Sequence, residues 1–490
     1  MNKKIYITAA IDYINAKPHV GHAVEKIQAD TLSRWYKSKG DDCYFVMGTD
    51  EMSLKNVQAA EKAGKTIQEY VDEYAQYFID LKQLLNLSVD QQIRTTDKKH
   101  IAGAQKLWSL FKQEDIYKKN YKGLYCVGCE EFKLEKDLID GKCPDHNTVP
   151  EEVEEENYFF KLSNYQNKLT ELIESDKLQI MPEYRKNEML SFIKGGLEDF
   201  SISRSKERAR NWGVQVPGDP DQIMYVWVDA LSSYITALDF AVDGELYKKY
   251  WEESAERMHV IGKGILRFHT VYWPAMLLSS DLPLPTKILC HEYLTIDGKK
   301  MSKSLGNIIS PVELVDTFGT EATRYLLLSS LPNSKDGDIS WERMKEKYSA
   351  DLSNSLGNLL QRTLSMINKY GVKIEKDKAY YDYEEEPASG EVSTADTMVE
   401  EKIKQLQFDQ SLSIIWRLVQ ESNQFIDQKK PWQIAKEDNI NELSRVLNIV
   451  YSRLESIADL IEIFMPETSK IMKKQLEVLE PEVLFPRIEE

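Results

Sequence analysis

Between residues 4 and 48 the chain reads as strand, loop, helix and strand, and that run restricts it to folds built on a parallel sheet. Residues 4–8 form an apolar strand, and Pro18 ends the loop that follows. Residues 21–39 repeat apolar positions at helical spacing (Val24, Ile27, Leu32, Trp35, Tyr36), and Gly40 is a natural stop. Residues 44–47 are a second apolar run, closed by Gly48. Two parallel strands cannot share a tight hairpin, so the helix between them is the crossover. Residues 116–222 break this pattern with cysteines, turns and acidic segments, which predicts an insertion. Alternating β/α character returns at 224–227 and 259–262. From Asp351 onward glycine and proline thin out, and Leu352, Leu356, Leu359, Leu360, Leu364 and Ile367 make one apolar stripe. Residues 403–428 and 440–465 continue in that style, so the last third is expected to be a helical bundle.

A chain of 490 residues exceeds one ordinary core and predicts two to four domains. No run of eighteen apolar residues exists, and the first ten residues lack the apolar block of a signal peptide. Five cysteines without a paired pattern argue against a secreted disulfide scaffold, and a cytoplasmic location is expected. The net charge of −17 opposes indiscriminate nucleic-acid binding. It is unevenly spread, since residues 371–402 hold ten acids against four lysines, −6 in one stretch that reads as a solvated linker.

Two motifs carry chemistry. His19-Val20-Gly21-His22 sits where the first strand's loop enters a helix, and helix N-termini at such sheet edges attract phosphate. His19 and His22, three apart, can donate to phosphate oxygens, while Gly21 admits a nucleotide close to the backbone. Two ordinary histidines near a helix start are the plain alternative; HExxH zinc chemistry is excluded by the spacing. Lys300-Met301-Ser302-Lys303-Ser304 follows a strand at 293–296 and a tight Asp297-Gly298 turn, and precedes Gly306 and Asn307. Lysines on a polar loop suit a transient charge such as departing pyrophosphate, although a basic loop alone is usually solvated surface.

Cys126-x2-Cys129 and Cys143-x2-His146 are two knuckles turned by Gly128 and Pro144. Four N/S ligands in two close pairs fit one closed, structural zinc per chain, with no open position for catalysis. Cys43 and Cys290 read as buried strand cysteines.

HxGH near residue 20 with KMSKS near residue 300 resembles the class I aminoacyl-tRNA synthetases. In that chemistry an amino-acid carboxylate attacks the α-phosphate of ATP, so positioning and electrostatics carry the catalysis. The resemblance implies a Rossmann-type catalytic domain in which His19, Gly21 and His22 hold ATP phosphates. Lys300 and Lys303 stabilise pyrophosphate, and Met301, Ser302 and Ser304 complete the ATP-binding loop. ATP with Mg2+ is the implied substrate.

Ile11-Asp12-Tyr13-Ile14-Asn15, Gly48-Thr49-Asp50, the run Tyr225-Val226-Trp227-Val228-Asp229-Ala230 and Lys430-Pro431-Trp432 narrow the resemblance to the methionine enzymes, over nearly the whole chain. A thioether packs well against ring edges, so a dry aromatic pocket is required. Tyr13, Trp227, Ala230, Tyr234, Ile265 and His269 match the family's methionine pocket. Ile11 and Asp50 match positions holding the amino acid's backbone, with Asp50 facing the ammonium. Arg204 matches a position near the active centre, where a structural ion pair is the other reading. The chain departs from the family at Met52-Ser53, Gly264 and Asp12, which bears on nucleotide contacts.

By the same resemblance the plan is 1–115 and 223–310 for the two halves of the catalytic domain and 116–222 for a connective insertion carrying the zinc knuckle. Residues 311–350 form a linker reaching the tRNA elbow, and 351–490 an anticodon-binding helical domain. Asn358 and Arg362 lie four apart on one helix face and can read unpaired bases, and Trp432 offers a ring for stacking. A core tryptophan beside a helix-starting proline is the blander reading. The family's extra C-terminal β-barrel, which dimerises, is not present before Glu490, so a monomer is expected. The partners implied are methionine, ATP and tRNA(Met), with no membrane. Two rivals stay open: a class I synthetase for another amino acid and a non-catalytic tRNA-binding paralogue.

Overall fold

The computed structural model describes residues 2–128, 131–133, 135–144, 147–301, 307–332, 335–375 and 395–488. Two compact units make up the chain: Met1–Pro18 with Ser33–His291, and His19–Leu32 with Glu292–Glu490. Much of the acidic stretch, residues 376–394, lies outside the described residues.

The first unit is built on a parallel sheet. Its strands β1 (Lys4–Ala9), β2 (Asp42–Asp50), β3 (Gln91–Arg94), β4 (Gln179–Met181), β5 (Glu256–Gly262) and β6 (Lys287–His291) run in the order β3-β2-β1-β5-β6-β4. All their pairings are parallel, with Ile5 facing Cys43 on one side and Glu256 on the other. Asp12–Tyr13 adds a short strand beside Thr49 and Asp50 at the carboxyl end of β2. Central strands are buried on both faces, which is why β1 is apolar almost throughout, with Ile5 to Ala9 all buried. Cys43 and Cys290 are buried in β2 and β6, as their context implied.

The insertion is an antiparallel sheet ordered Glu131–Lys133, Ile116–Cys126, Glu151–Phe160, Phe200–Ser201. One piece inside the same span belongs elsewhere: β4 pairs with β6 in the main sheet, flanked by the helices Gln166–Glu174 and Glu183–Lys194. Three residues of strand between two amphipathic helices leave too short a run for periodicity to show.

In the second unit, Leu294–Ile296 pairs antiparallel with Lys299–Lys300 through Asp297 and Gly298, both at positive φ, as a two-residue hairpin requires. Leu294–Ile296 also pairs in parallel with Gly337–Ile339. Ser310 caps the helix Pro311–Phe318 by accepting from the Val312 N–H at 3.2 Å, while Glu313 reaches back to the Ser310 N–H at 3.1 Å. The bundle comprises Tyr348–Gly357 running into Asn358–Tyr370, then Ala395–Lys404, Phe408–Lys429, Ile440–Ile461 and Pro466–Val478. The leucine stripe is buried from Leu352 to Ile367.

Helix α1 (Val20–Ser38) begins in this second unit, and its side chains are tied down by buried charge. Asp30 pairs with Arg324 at 2.7 Å, both fully buried. The same guanidinium donates to the Phe464 carbonyl at 2.7 Å and to that of Ile463 at 3.4 Å. An ion pair without water persists only when its remaining donors are satisfied, and those two carbonyls serve that need. Among the described residues, no helix is long and apolar enough to cross a membrane.

Candidate active site

The histidine turn opens α1. The rings of His19 and His22 stack with centroids 3.8 Å apart, and each ring's Nδ1 accepts a backbone N–H. The His19 N–H donates to His22 Nδ1 at 3.1 Å, and the Gly21 N–H to His19 Nδ1 at 3.1 Å. A nitrogen that accepts carries no proton, so the neutral rings hold theirs on Nε2. Burial, then His19 and Lys26, push His22 well below the ordinary histidine pKa, so it is neutral near pH 7. The turn thus sets two Nε2 positions, that of His22 on a neutral ring, at a helix N-terminus.

A Cβ on Gly21 would stand 2.9 Å from His19 Cε1 and 3.4 Å from Met301 Cε, so only glycine fits. Val20 donates its N–H to the Ile309 carbonyl at 3.1 Å. Met301, within the lysine motif, and Ile309, just after it, therefore both lie beside the histidine turn, although nearly three hundred positions separate them in sequence. Lys300 ends the hairpin strand Lys299–Lys300; Ser302, Lys303 and Ser304 lie outside the described residues.

In the first unit an aromatic group forms around the helix Val226–Thr236. Trp227 stacks on Phe268 at 3.7 Å and 7°, and Tyr13 meets Trp227 edge-on at 6.3 Å. Tyr234 Oη is 2.7 Å from His269 Nε2, and His269 Nδ1 is 2.9 Å from the Ile265 carbonyl. A carbonyl only accepts, so Nδ1 carries the proton and Nε2 receives the tyrosine hydroxyl. Ala230 is buried in the same helix, and Ile11, Tyr13 and Ile265 pack on the core from partly buried positions. Asp50 is buried at the end of β2, beside Tyr13 in register.

Several supporting residues escaped the sequence reading. Phe268 supplies the partner face for Trp227; its only signal is its place beside His269. Glu51, fully buried, accepts from Arg94 Nε at 2.7 Å and Nη2 at 2.9 Å and fixes the chain just after Asp50. Asp229 meets His100 Nε2 at 2.6 Å, a pairing between segments far apart in sequence. Behind Tyr234, His259 Nε2 accepts from Trp273 at 3.2 Å and its Nδ1 lies 2.7 Å from Thr8 Oγ1. The departures also have local reasons. Ser53 caps the helix Leu54–Ala63, Met52 packs on the core, and Asp12 is buried in its short strand. Gly264 lies exposed in the turn Lys263–Ile265.

Arg204 is nearly buried, its guanidinium 4.5 Å from the Tyr125 ring centroid and 4.8 Å from that of Tyr225. Cys126 and Cys143 are buried, and Cys143 opens a tight turn in which its N–H donates to the Thr148 carbonyl at 2.9 Å. Cys129 and His146 lie outside the described residues; among the described ones no group of three metal-type side chains occurs. In the bundle, Arg362 pairs with Asp427 at 3.0 Å and lies 5.9 Å from the Trp432 ring. Asn358 sits one turn before it, and Trp432 is half-buried rather than core.

A family model described as tRNA synthetases class I (M) matches residues 5–149 and 133–364. A methionine–tRNA ligase of Caldanaerobacter subterraneus subsp. tengcongensis is 41% identical over 515 residues, covering 100% of this chain and 80% of its own. One from Clostridium acetobutylicum is 42% identical, covering 97% of this chain and 74% of its own. Among solved structures, Mycobacterium tuberculosis methionyl-tRNA synthetase in complex with methionyl-adenylate superposes with a TM-score of 0.87 at 36% identity, covering 99% of this chain and 100% of that one.

Proposed function

The chain belongs to the methionine–tRNA ligase family of class I tRNA synthetases, and from that premise we propose how its residues divide the work. It is an ATP-dependent ligase that activates L-methionine to methionyl-adenylate and transfers it to the 3′-terminal adenosine of tRNA(Met). In the first step a methionine carboxylate oxygen bonds to the α-phosphorus of ATP and the bond to the pyrophosphate oxygen breaks. In the second a terminal ribose hydroxyl attacks the carbonyl carbon, AMP departs, and the hydroxyl proton is released. Neither step needs a protein nucleophile.

The Nε2–H groups of His19 and His22 donate to the phosphates as charge shifts onto them, with Gly21 leaving room for the nucleotide. Lys300 and Lys303, with Met301, Ser302 and Ser304, hold the departing pyrophosphate, and Mg2+ accompanies the ATP. Tyr13, Trp227, Ala230, Tyr234, Ile265 and His269 enclose the thioether, Ile11 and Asp50 hold the backbone end, and Arg204 flanks the centre. The single observation that supports this division is the Val20–Ile309 hydrogen bond together with Met301 standing where a side chain on Gly21 would reach it.

Cys126, Cys129, Cys143 and His146 would hold one structural zinc, closing the insertion's hairpin; the two described sulfurs are buried, as a soft, water-excluded donor set requires. Asn358, Arg362 and Trp432 read the anticodon, which the Arg362–Trp432 proximity supports. The domain plan is 1–115 and 223–310 catalytic, 116–222 insertion, 311–350 linker and 351–490 anticodon-binding. We take the protein to act as a cytoplasmic monomer. Amino-acid-dependent exchange of pyrophosphate into ATP tests the reading: methionine alone should support it. Exchange with another amino acid, or none, would overturn the assignment.

A further inference from the structure

One short segment of the first unit, residues 94–100, grips two distant parts of the chain at once. At its start, Arg94 closes β3 and donates from Nε and Nη2 to the Glu51 carboxylate at 2.7 and 2.9 Å. The Thr96 hydroxyl donates to Glu51 Oε2 at 2.5 Å, and the Glu51 N–H donates to Thr95 Oγ1 at 2.9 Å. Side chain and backbone of Glu51 are both held, and Asp50 is the residue before it. At the segment's end, His100 lies in the first turn of the helix Lys98–Leu110. Its Nε2 is 2.6 Å from Asp229 Oδ1 and its Nδ1 is 2.8 Å from Thr236 Oγ1. Glu51, His100, Asp229 and Thr236 are all buried, so water does not compete for these bonds.

Asp229 and Thr236 are seven residues apart on the helix Val226–Thr236, two turns along one face. Trp227, Ala230 and Tyr234 belong to the same helix. An imidazole that joins both turns keeps the helix from sliding along its axis or turning about it. Packing adds a second stop. A Cβ on Gly103, one turn after His100, would stand 2.4 Å from Thr236 Cγ2 and 3.1 Å from Thr236 Cβ. The two helices therefore meet with no room for a methyl group between them.

A ligand held at both ends is measured by the distance between the two holds. We propose that residues 94–100 are a spacer that fixes Asp50 relative to the wall of Trp227, Ala230 and Tyr234, and so sets the length of amino-acid side chain that is accepted. Arg94 acts through Glu51, and His100 through Asp229 and Thr236, so both are positioning residues that need not touch the substrate. The proposal rests on the ligase reading, with Asp50 at the ammonium and the aromatic wall at the thioether, and adds what keeps those two ends apart.

The test measures pyrophosphate exchange by the full chain with methionine and with ethionine, which is longer by one methylene group. Gly103→Ala presses on Thr236 without removing a polar group. It should narrow the methionine-to-ethionine ratio of kcat/KM about fivefold, part of the roughly 10–200-fold that one methylene is worth in an apolar pocket. KM for methionine should rise while KM for ATP stays within about twofold of wild type, since only the amino-acid end is disturbed. Adding Thr236→Ser deletes the colliding methyl, keeps the oxygen for His100, and should bring the ratio back to within about twofold of wild type. His100→Gln introduces no clash and keeps a donor for Asp229, so it gives the reading where Gly103→Ala does not fold; its ratio should narrow about threefold. An unchanged ratio would overturn the proposal, as would methionine and ethionine losing activity by the same factor, or a ratio that Thr236→Ser does not restore. If wild type itself exchanges nothing with methionine, it is the ligase reading that fails.

Discussion

The turn at residues 19–22 and the aromatic group around Trp227, proposed above to hold phosphate and methionine, use the same residue type in opposite ways. At residues 19–22 each imidazole gives its Nδ1 to a backbone N–H, so both rings present a donor on Nε2. At His269 the polarity is reversed: Nδ1 faces the Ile265 carbonyl, and Nε2 accepts from Tyr234. The first arrangement leaves the proton of each ring on Nε2; the second joins both nitrogens of His269 to neighbours in the same aromatic group. The same side chain becomes an electrostatic group or a wall according to which backbone atom its first nitrogen meets.

The sharpest way to break this contrast is His22→Ala. Losing one preorganised donor to phosphate should lower kcat for exchange by a factor on the order of 10²–10³, about 3 kcal/mol, with KM for methionine little changed. If KM for methionine rises instead, the histidine turn is not confined to phosphate. A step smaller is Trp432→Ala, which removes a stacking ring from the bundle. Charging of tRNA(Met) should lose about tenfold in kcat/KM while exchange is untouched, and an equal fall in exchange would return Trp432 to a packing role. Tyr234→Phe leaves His269 Nε2 without its donor. A neutral hydrogen bond is worth about 1 kcal/mol, so KM for methionine should rise about fivefold with KM for ATP constant. A comparable change in both constants would erase the distinction between the two regions.

The last prediction concerns stability. Burial, then His269, hold His259 well below the ordinary histidine value of 6.5, and burial does the same at His22. As pH falls below 6.5 the unfolded chain binds protons that the folded protein refuses, so stability drops with falling pH. Each such group contributes up to about 1.4 kcal/mol per pH unit over that window. Denaturant unfolding of His259→Gln between pH 7 and 5 should show a shallower decline than wild type, and an identical slope would mean that this ring titrates normally.

Much of the site was legible because two short motifs each impose a local geometry. Gly21 lacks the side chain that would collide with the His19 ring, and Asp297-Gly298 supplies the two positive-φ residues that a tight hairpin needs. The residues proposed as pocket walls were singled out only by family resemblance, since an aromatic residue in a buried helix looks the same whether it faces core or ligand. Phe268, Glu51 with Arg94, and His100 with Asp229 stayed hidden for a different reason. Each acts through a partner that folding alone brings near, and neither residue of the pair announces the other. The strand β4 was lost inside the insertion because three residues between helices carry no measurable period.

The pairing of Asp30 with Arg324 has a practical corollary for anyone cutting this protein into pieces. The first thirteen residues of α1, with His19 just before them, belong to the unit that contains Arg324, which pairs with Asp30 from nearly three hundred positions later. A fragment ended after β6 would keep the histidines but strand the buried carboxylate of Asp30 without its Arg324 partner. Orphaning a buried charge in this way costs several kcal/mol, about 3–5, so the helix would refold or fray. Minimal versions of this enzyme must therefore be trimmed at the surface of the bundle and not at the seam suggested by linear domain order.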